Sequence, residues 1–243
     1  SYDSFGFSVN DGSVDSVASY SQTIDVTAVN DAPTAANNTV TTNEDTSYTF
    51  TAADFNYSDI DLDTLASIQI TTLETVGALQ LAGVDVTLNQ VISKADIDLN
   101  KLTFAPVADG NGLSYDSFGF SVNDGSVDSV ASYSQTIDVT AVNDAPVLAA
   151  IGNQSVDEQT LLTFTASASD NDLPADTLSY TLDAASIALG MSIDLNSGVF
   201  SWTPTEAQGG LTPSVTITVT DNGSGNLNDS EIITISVNEI NDA

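Results

Sequence analysis

Between short clusters of Gly, Asn, Asp and Ser, apolar and polar positions alternate with a period of two. Phe118, Phe120 and Val122 are separated by Gly119 and Ser121, and Val215, Ile217 and Val219 by Thr216 and Thr218. This is the pattern of strands with one buried face. It recurs at Tyr48, Phe50, Ala52; at Ile68, Ile70; at Leu178, Tyr180, Leu182; at Ile137, Val139, Ala141; and at Ile233, Ile235, Val237. No window sustains a helical period, and Thr205 to Gln208 predicts no more than one helical turn. Asn123-Asp124-Gly125, Asn196-Ser197-Gly198 and Asp221-Asn222-Gly223 read as tight turns that need a positive φ. Trp202 alternates within Phe200–Pro204 like a core aromatic, which is a different role from an exposed sugar platform.

An internal repeat sets the organisation. Ser1–Pro33 recurs without a change as Ser114–Pro146. Both copies end in Val-Asn-Asp-Ala-Pro, and the chain stops at Ile240-Asn241-Asp242-Ala243, so Asn-Asp-Ala-Pro reads as a linker. The expected division is an incomplete repeat end at 1–33, a full unit at 34–146 and a second at 147–243. The two full units differ in sequence, yet their acidic landmarks keep step. Pro33 to Glu44 nearly equals Pro146 to Glu158, Pro33 to Asp59 nearly equals Pro146 to Asp170, and Asp124 to Asn143 nearly equals Asp221 to Asn241. Only the centre departs, the stretch from Asp59 to Asp124 being clearly longer than that from Asp170 to Asp221. About seven short alternating strands in roughly 100 residues predict an all-β chain of tandem immunoglobulin- or cadherin-like Greek-key sandwiches joined end to end. Residues 1–33 hold only the last two strands of a unit and are expected to be mobile or to pair with another chain. The duplication makes strand exchange between neighbouring molecules the self-contact to consider.

Composition narrows the function. The chain has 243 residues with 34 Asp and Glu against two basic residues, Lys94 and Lys101, for a net charge of -32. Nucleic-acid binding and polybasic membrane-surface binding both rely on Lys and Arg, so neither is expected. No apolar run approaches the roughly 20 residues of a membrane-spanning helix. Cys and His are both absent, which excludes disulfides, thiol nucleophiles, zinc fingers and imidazole acid-base chemistry. With 41% hydrophobic residues a packed core is within reach despite the acidity.

The acids are mostly Asp, and many of these fall in expected loops at the unit ends. Calcium suits such a set, because it takes six to eight oxygen ligands from carboxylates, amides and carbonyls and tolerates irregular geometry. Where two sandwiches join end to end, ligands come from the base of the upper unit, the linker and the upper loops of the lower unit. At the first junction the candidates are Asn30 and Asp31 from the linker with Asp59, Asp61 and Asp124. At the second they are Glu44 with Asp96 and Asp98 from the upper unit, Asn143 and Asp144 from the linker, and Asp170, Asp172 and Asp221 from the lower. The run Asp59, Asp61, Asp63 is not an EF-hand, since Thr64 and Ile70 stand where that loop needs Gly and Glu. Many single Asp in such loops are solvated turn residues. The paired spacing in two divergent units is what favours calcium.

The Asn-Asp-Ala-Pro linkers, Asn-Glu-Asp-Thr at 43–46, Lys101–Pro106 and Phe-Ser-Val-Asn-Asp-Gly at 120–125 resemble the bacterial cadherin-like repeats of large secreted, RTX-type adhesins. Gly190–Asp194 with Gly198–Pro204 resembles the dystroglycan-type variety. Ala28 and Ala141 stand where cadherins proper have the first linker Asp, which implies fewer ions per internal junction. The resemblance implies export to a bacterial cell surface and a role as a calcium-stiffened extender whose partners are neighbouring repeats, with no active site. The alternative is a calcium-dependent carbohydrate- or protein-binding module.

Overall fold

A computed structural model describes residues 2–241, so Ser1 and the Asp242-Ala243 end of the terminal linker lie outside the described residues. The chain begins with an isolated antiparallel hairpin, β1 (Asp3–Phe7) and β2 (Tyr20–Ile24), with Phe5 opposite Gln22 and Phe7 opposite Tyr20. Every residue of both strands of this hairpin is exposed.

The next unit contains β3 (Asn38–Asn43), β4 (Tyr48–Thr49), β5 (Ser67–Thr72), β6 (Ala78–Leu81), β7 (Val84–Asp85), β8 (Val91–Ser93), helix α1 (Lys94–Asp98), β9 (Leu102–Ala105), β10 (Gly112–Asn123) and β11 (Tyr133–Thr140). Two sheets, in the orders β3-β11-β10-β5-β8 and β4-β9-β6-β7, face each other. Their inward alternation supplies Phe104, Phe118 and Phe120, and the segment after β4 adds Phe50 and Phe55, all buried. Phe50 meets Phe118 edge-on at 5.4 Å and Phe55 meets Phe120 at 5.0 Å, the favoured aromatic geometry. The longer centre of this unit is accounted for by the β6–β7 hairpin, whose Ala82 and Gly83 both take positive φ, and by β8 with α1. Strand alternation at 48–52 is cut short: Asp54 accepts from the Thr51 N–H at 2.7 Å and caps a 3-10 turn over Ala52–Phe55.

The second unit repeats the plan with β12 (Val147–Leu148), β13 (Gln154–Asp157), β14 (Leu162–Thr165), β15 (Ala168–Ser169), β16 (Ser179–Leu182), helix α2 (Ala184–Ala188), β17 (Ser192–Ile193), β18 (Val199–Trp202), β19 (Ser214–Thr220) and β20 (Asn228–Asn238). Its sheets run β13-β20-β19-β16 and β14-β18-β17, with β12 and β15 paired alongside. In each unit an early strand lies parallel to the last one, β3 on β11 and β13 on β20. That pairing carries the chain from the last strand straight toward the next unit. Trp202 is buried and donates from Nε1 to the Leu189 carbonyl at 3.1 Å, so it is a core residue. The turn glycines Gly125 and Gly198 have positive φ as expected, but after Asp221 the left-handed residues are Gly225 and Asn226 instead of Gly223. Among the described residues no helix is long and apolar enough to cross a membrane.

Candidate metal centres at the joints between units

The residues of the two linkers make the same contacts at both joints. At the first, Asn30 Nδ2 donates to Asp124 Oδ2 at 2.9 Å, the Asp31 N–H to Asp61 Oδ2 at 2.7 Å, and the Asp61 N–H to Asp59 Oδ1 at 2.7 Å. At the second, Asn143 Nδ2 donates to Asp221 Oδ2 at 3.0 Å, the Asp144 N–H to both Asp172 oxygens at 3.2 Å, and the Asp172 N–H to Asp170 Oδ1 at 3.0 Å. The loops that follow β10 and β19 present their Asp in the same way. Asp124 Oδ1 accepts from the Ser126 and Val127 N–H groups, and Asp221 Oδ1 from those of Gly223 and Leu227. One oxygen thus builds the turn while the other meets the linker.

Each upper unit anchors the linker from above with a buried glutamate. Glu44 Oε1 accepts from the Val142 N–H at 2.6 Å, and Glu158 Oε1 from the Ile240 N–H at 2.8 Å, in both cases immediately before the linker Asn. Glu44 Oε2 accepts from Asn111 at 2.9 Å, and the same Asn111 amide donates across the joint to the Leu173 carbonyl at 3.1 Å. Around these glutamates two acid groups converge, in each of which one oxygen per residue lies within 4.8 Å of the others: Asp45, Asp109 and Asp144, and Glu158, Glu206 and Glu239. A side chain at Gly209 would overlap the Glu158 and Glu239 carboxylates, so glycine leaves that space open.

The electrostatics are those of a site short of positive charge. At an effective dielectric of about 20, two carboxylates about 4 to 5 Å apart repel by on the order of 3 kcal/mol before screening. Burial raises the Asp172 carboxyl to about 6, with neighbouring Asp170 and Asp176 adding to the rise. Asp144 is also raised, by burial first and then by Asp109, Asp45 and Glu44. Asp124 is lowered instead, because the Asn30 amide and the turn N–H groups donate to it. Tyr57, beside the first joint, is pushed up to about 12 by burial and by Asp59, Asp124 and Asp63. Three carboxylate oxygens at these ends, Asp59 Oδ2, Asp170 Oδ2 and Glu158 Oε2, are shielded from solvent and have no donor. Orphaned buried oxygens of this kind are costly unless something ligates them. The donor set is all oxygen and irregular, which fits calcium better than a softer or more rigidly octahedral ion.

Ten of the residues singled out by spacing meet at the joints, and Glu44 joins them from the base of the upper unit. Asp96 and Asp98 do not. Ser93 pairs with Ser67, and Ser67 with Asn123, so α1 starts at the Asp124 end of its unit, opposite Glu44. There Asp96 binds Lys101 at 2.7 Å and Asp98 binds Lys94 at 2.6 Å. The chain's only two basic side chains pair with these acids, and no lysine is left for the joints. Residues the spacing argument missed are Asp45, Asp109, Asn111, Glu206 and Glu239. Asp109 and Asn111 lie in the Gly-rich turn 108–112 just before the duplicated segment, and Glu239 occupies the linker position held by alanine at 28 and 141.

Residues 30–140 match the family model described as Bacterial Ig domain, and residues 145–238 that described as Putative Ig domain. No curated protein matches in sequence. Among solved structures, mouse cadherin-23 EC22-24 is similar with a TM-score of 0.55 at 19% identity, over 88% of this chain and 68% of that one. Human CDH23 EC21-23 gives 0.54 at 19%, over 87% and 71%. Human protocadherin-24 EC1-2 gives 0.52 at 19%, over 86% and 99%. At these identities the likeness is one of fold: Ig/cadherin-like β-sandwich units in tandem.

Proposed function

We propose that the chain is a calcium-stiffened extender segment of a bacterial cell-surface adhesin, of the RTX type, with units 34–146 and 147–243 and without an active site of its own. The Ig- and cadherin-like units suggest an adhesion or extender role. The observation that carries the calcium reading is the matching contact set at the two joints, with a shielded carboxylate oxygen left over in each, Asp59 Oδ2 and Asp170 Oδ2.

Asn30, Asp31, Asp59, Asp61 and Asp124 would hold an ion at the first joint. Glu44, Asp45, Asp109, Asp144, Asp170, Asp172 and Asp221 would do so at the second, and Glu158, Glu206 and Glu239 at the base of the second unit. The ion supplies positive charge that turns mutual repulsion into ligation. The protein supplies the straight joint, because ligands from both units and the linker converge only when the units are aligned. An ion at about 100 times its dissociation constant stabilises the aligned state by roughly 2.7 kcal/mol per independent site. Extracellular modules bind calcium at about 0.1 to 1 mM, so the segment is stiff outside the cell and bends where calcium is scarce. Its partners are the neighbouring repeats.

Small-angle scattering tests this directly. Calcium should increase the maximum dimension and excess EDTA reduce it, with calorimetry reporting saturable binding. An unchanged dimension in EDTA overturns the reading.

A further inference from the structure

The sequence contains two Asn-Gly pairs, Asn111-Gly112 and Asn222-Gly223, and both lie at the second joint. Asn-Gly is the dipeptide in which the following backbone nitrogen reaches the side-chain amide most easily, because glycine has no Cβ to obstruct the approach. The surroundings of the two pairs differ. At Asn111 the amide nitrogen donates to Glu44 Oε2 and to the Leu173 carbonyl, which ties down the group that would have to leave. At Asn222 the polarity is reversed. The Thr177 N–H donates to Asn222 Oδ1 at 2.6 Å, at the oxygen where negative charge develops when the amide carbon is attacked. The Gly223 N–H, the attacking group, donates to Asp221 Oδ1 at 3.0 Å. Asp221 is only 4% exposed and is held by Leu227 and Asn143. Asn222 itself is exposed, so water reaches it.

We propose that Asn222 is a self-modifying site, at which the fold promotes deamidation through the Thr177 N–H. The Gly223 nitrogen bonds to Asn222 Cγ and gives its proton to water, which reaches the exposed side chain. The carbonyl oxygen is stabilised by the Thr177 N–H, as in an oxyanion hole. The tetrahedral centre collapses by breaking its bond to the amide nitrogen, which takes up the proton and leaves as ammonia. The resulting five-membered imide is opened by one water molecule to aspartate or isoaspartate. No oxidant or metal is required.

The product changes the joint. A carboxylate at 222 adds charge beside Asp221 and Asp176, and isoaspartate lengthens the backbone between Asp221 and Gly223. That disturbs the seat of Asn143 on Asp221. The modification is slow and irreversible, so it marks the age of the segment at the joint.

The test is peptide mapping by mass spectrometry of the intact chain incubated at neutral pH in EDTA, together with enzymatic detection of isoaspartate. EDTA separates this outcome from that of the calcium reading. The mass gain for exchange of an amide for an acid should accumulate at Asn222 several-fold faster than at Asn111. In concentrated urea the two sites should react alike, because the local dipeptide is the same. Equal rates at the two sites in the folded chain, or a slower rate at Asn222 folded than unfolded, overturn the proposal. Thr177→Pro, which removes the N–H donor, should slow the reaction at Asn222 without altering that at Asn111.

Discussion

The side-chain amide of Asn143 reaches from the linker to Asp221 of the second unit at 3.0 Å, and in the earlier linker Asn30 makes the same contact with Asp124 of the first unit at 2.9 Å. The Asp-x-Asp loops behind them lie in segments of unrelated sequence, yet Asp61 and Asp172 accept from Asp31 and Asp144 in the same way. Two unrelated loops held in one geometry indicate a shared constraint on the joint.

That constraint predicts which acids matter to calcium. Asp59→Asn and Asp172→Asn each remove a carboxylate from a joint and should weaken calcium binding at that joint about tenfold or more, read by calorimetry. Asp96→Asn and Asp98→Asn should leave calcium binding unchanged, since these acids face lysines. They should leave the melting temperature nearly unchanged, because exposed ion pairs contribute little. A loss of calcium sites on changing Asp96 would contradict the assignment.

The acids of the second joint give a pH dependence of known sign. Asp172 takes its proton more readily in the folded state, at about 6, than at its ordinary 3.8. A raised carboxyl stabilises the fold at pH below the unfolded value, and this stabilisation is lost as pH rises toward 6. In EDTA the melting temperature should therefore fall as pH rises from about 4 to about 6.5. Asp172→Asn should flatten that part of the profile, and calcium should reverse it. A profile that Asp172→Asn does not alter would show that other acids control the joint.

Gln135 offers a stabilising change. It points inward from β11 with both amide atoms buried and without a partner. Aligning the last strands on their linkers puts Ile233, packed in the core, at the corresponding place in the second unit. Gln135→Leu should raise stability by about 1 to 3 kcal/mol, the usual cost of an unsatisfied buried polar group. A urea midpoint that fails to rise would imply an internal water bound to the amide.

Phe5 and Phe118 occupy the same position in identical segments, yet Phe5 is 54% exposed and Phe118 is 1% exposed. Phe118→Ala should cost about 3 to 5 kcal/mol in urea unfolding, as cavities left by buried aromatics do. Phe5→Ala should cost almost nothing. A comparable loss at both would mean that the first hairpin packs against a partner, with strand exchange between two copies the first candidate.

Much of the architecture is legible along the chain because strand alternation, turn glycines and repeat spacing are local signals. The ten linker and loop residues of the joints could be found from spacing alone, since each stands a nearly fixed distance from a linker Pro or Asn. Asp96 and Asp98 were beyond that argument. Their place depends on β8 joining the edge of β5, a pairing between distant segments that carries α1 to the opposite end of its unit. Asp45 and Asp109 likewise converge only once β4 and β9 pair, at Tyr48 with Phe104.

The duplicated segment separates the two kinds of information. Both copies form the same hairpin in the same register, Phe5 opposite Gln22 and Phe118 opposite Gln135, and both bridge their turns at corresponding residues, Asn10 to Asp15 and Asn123 to Asp128. The shared stretch of sequence determines that much, because turn chemistry and cross-strand pairing are set by near neighbours. Burial was decided elsewhere. One copy closes over Phe50 and Phe55 and becomes the centre of a core. The other keeps its phenylalanines in solvent, because hydrophobic burial requires a facing sheet and, among the described residues, nothing is packed opposite it.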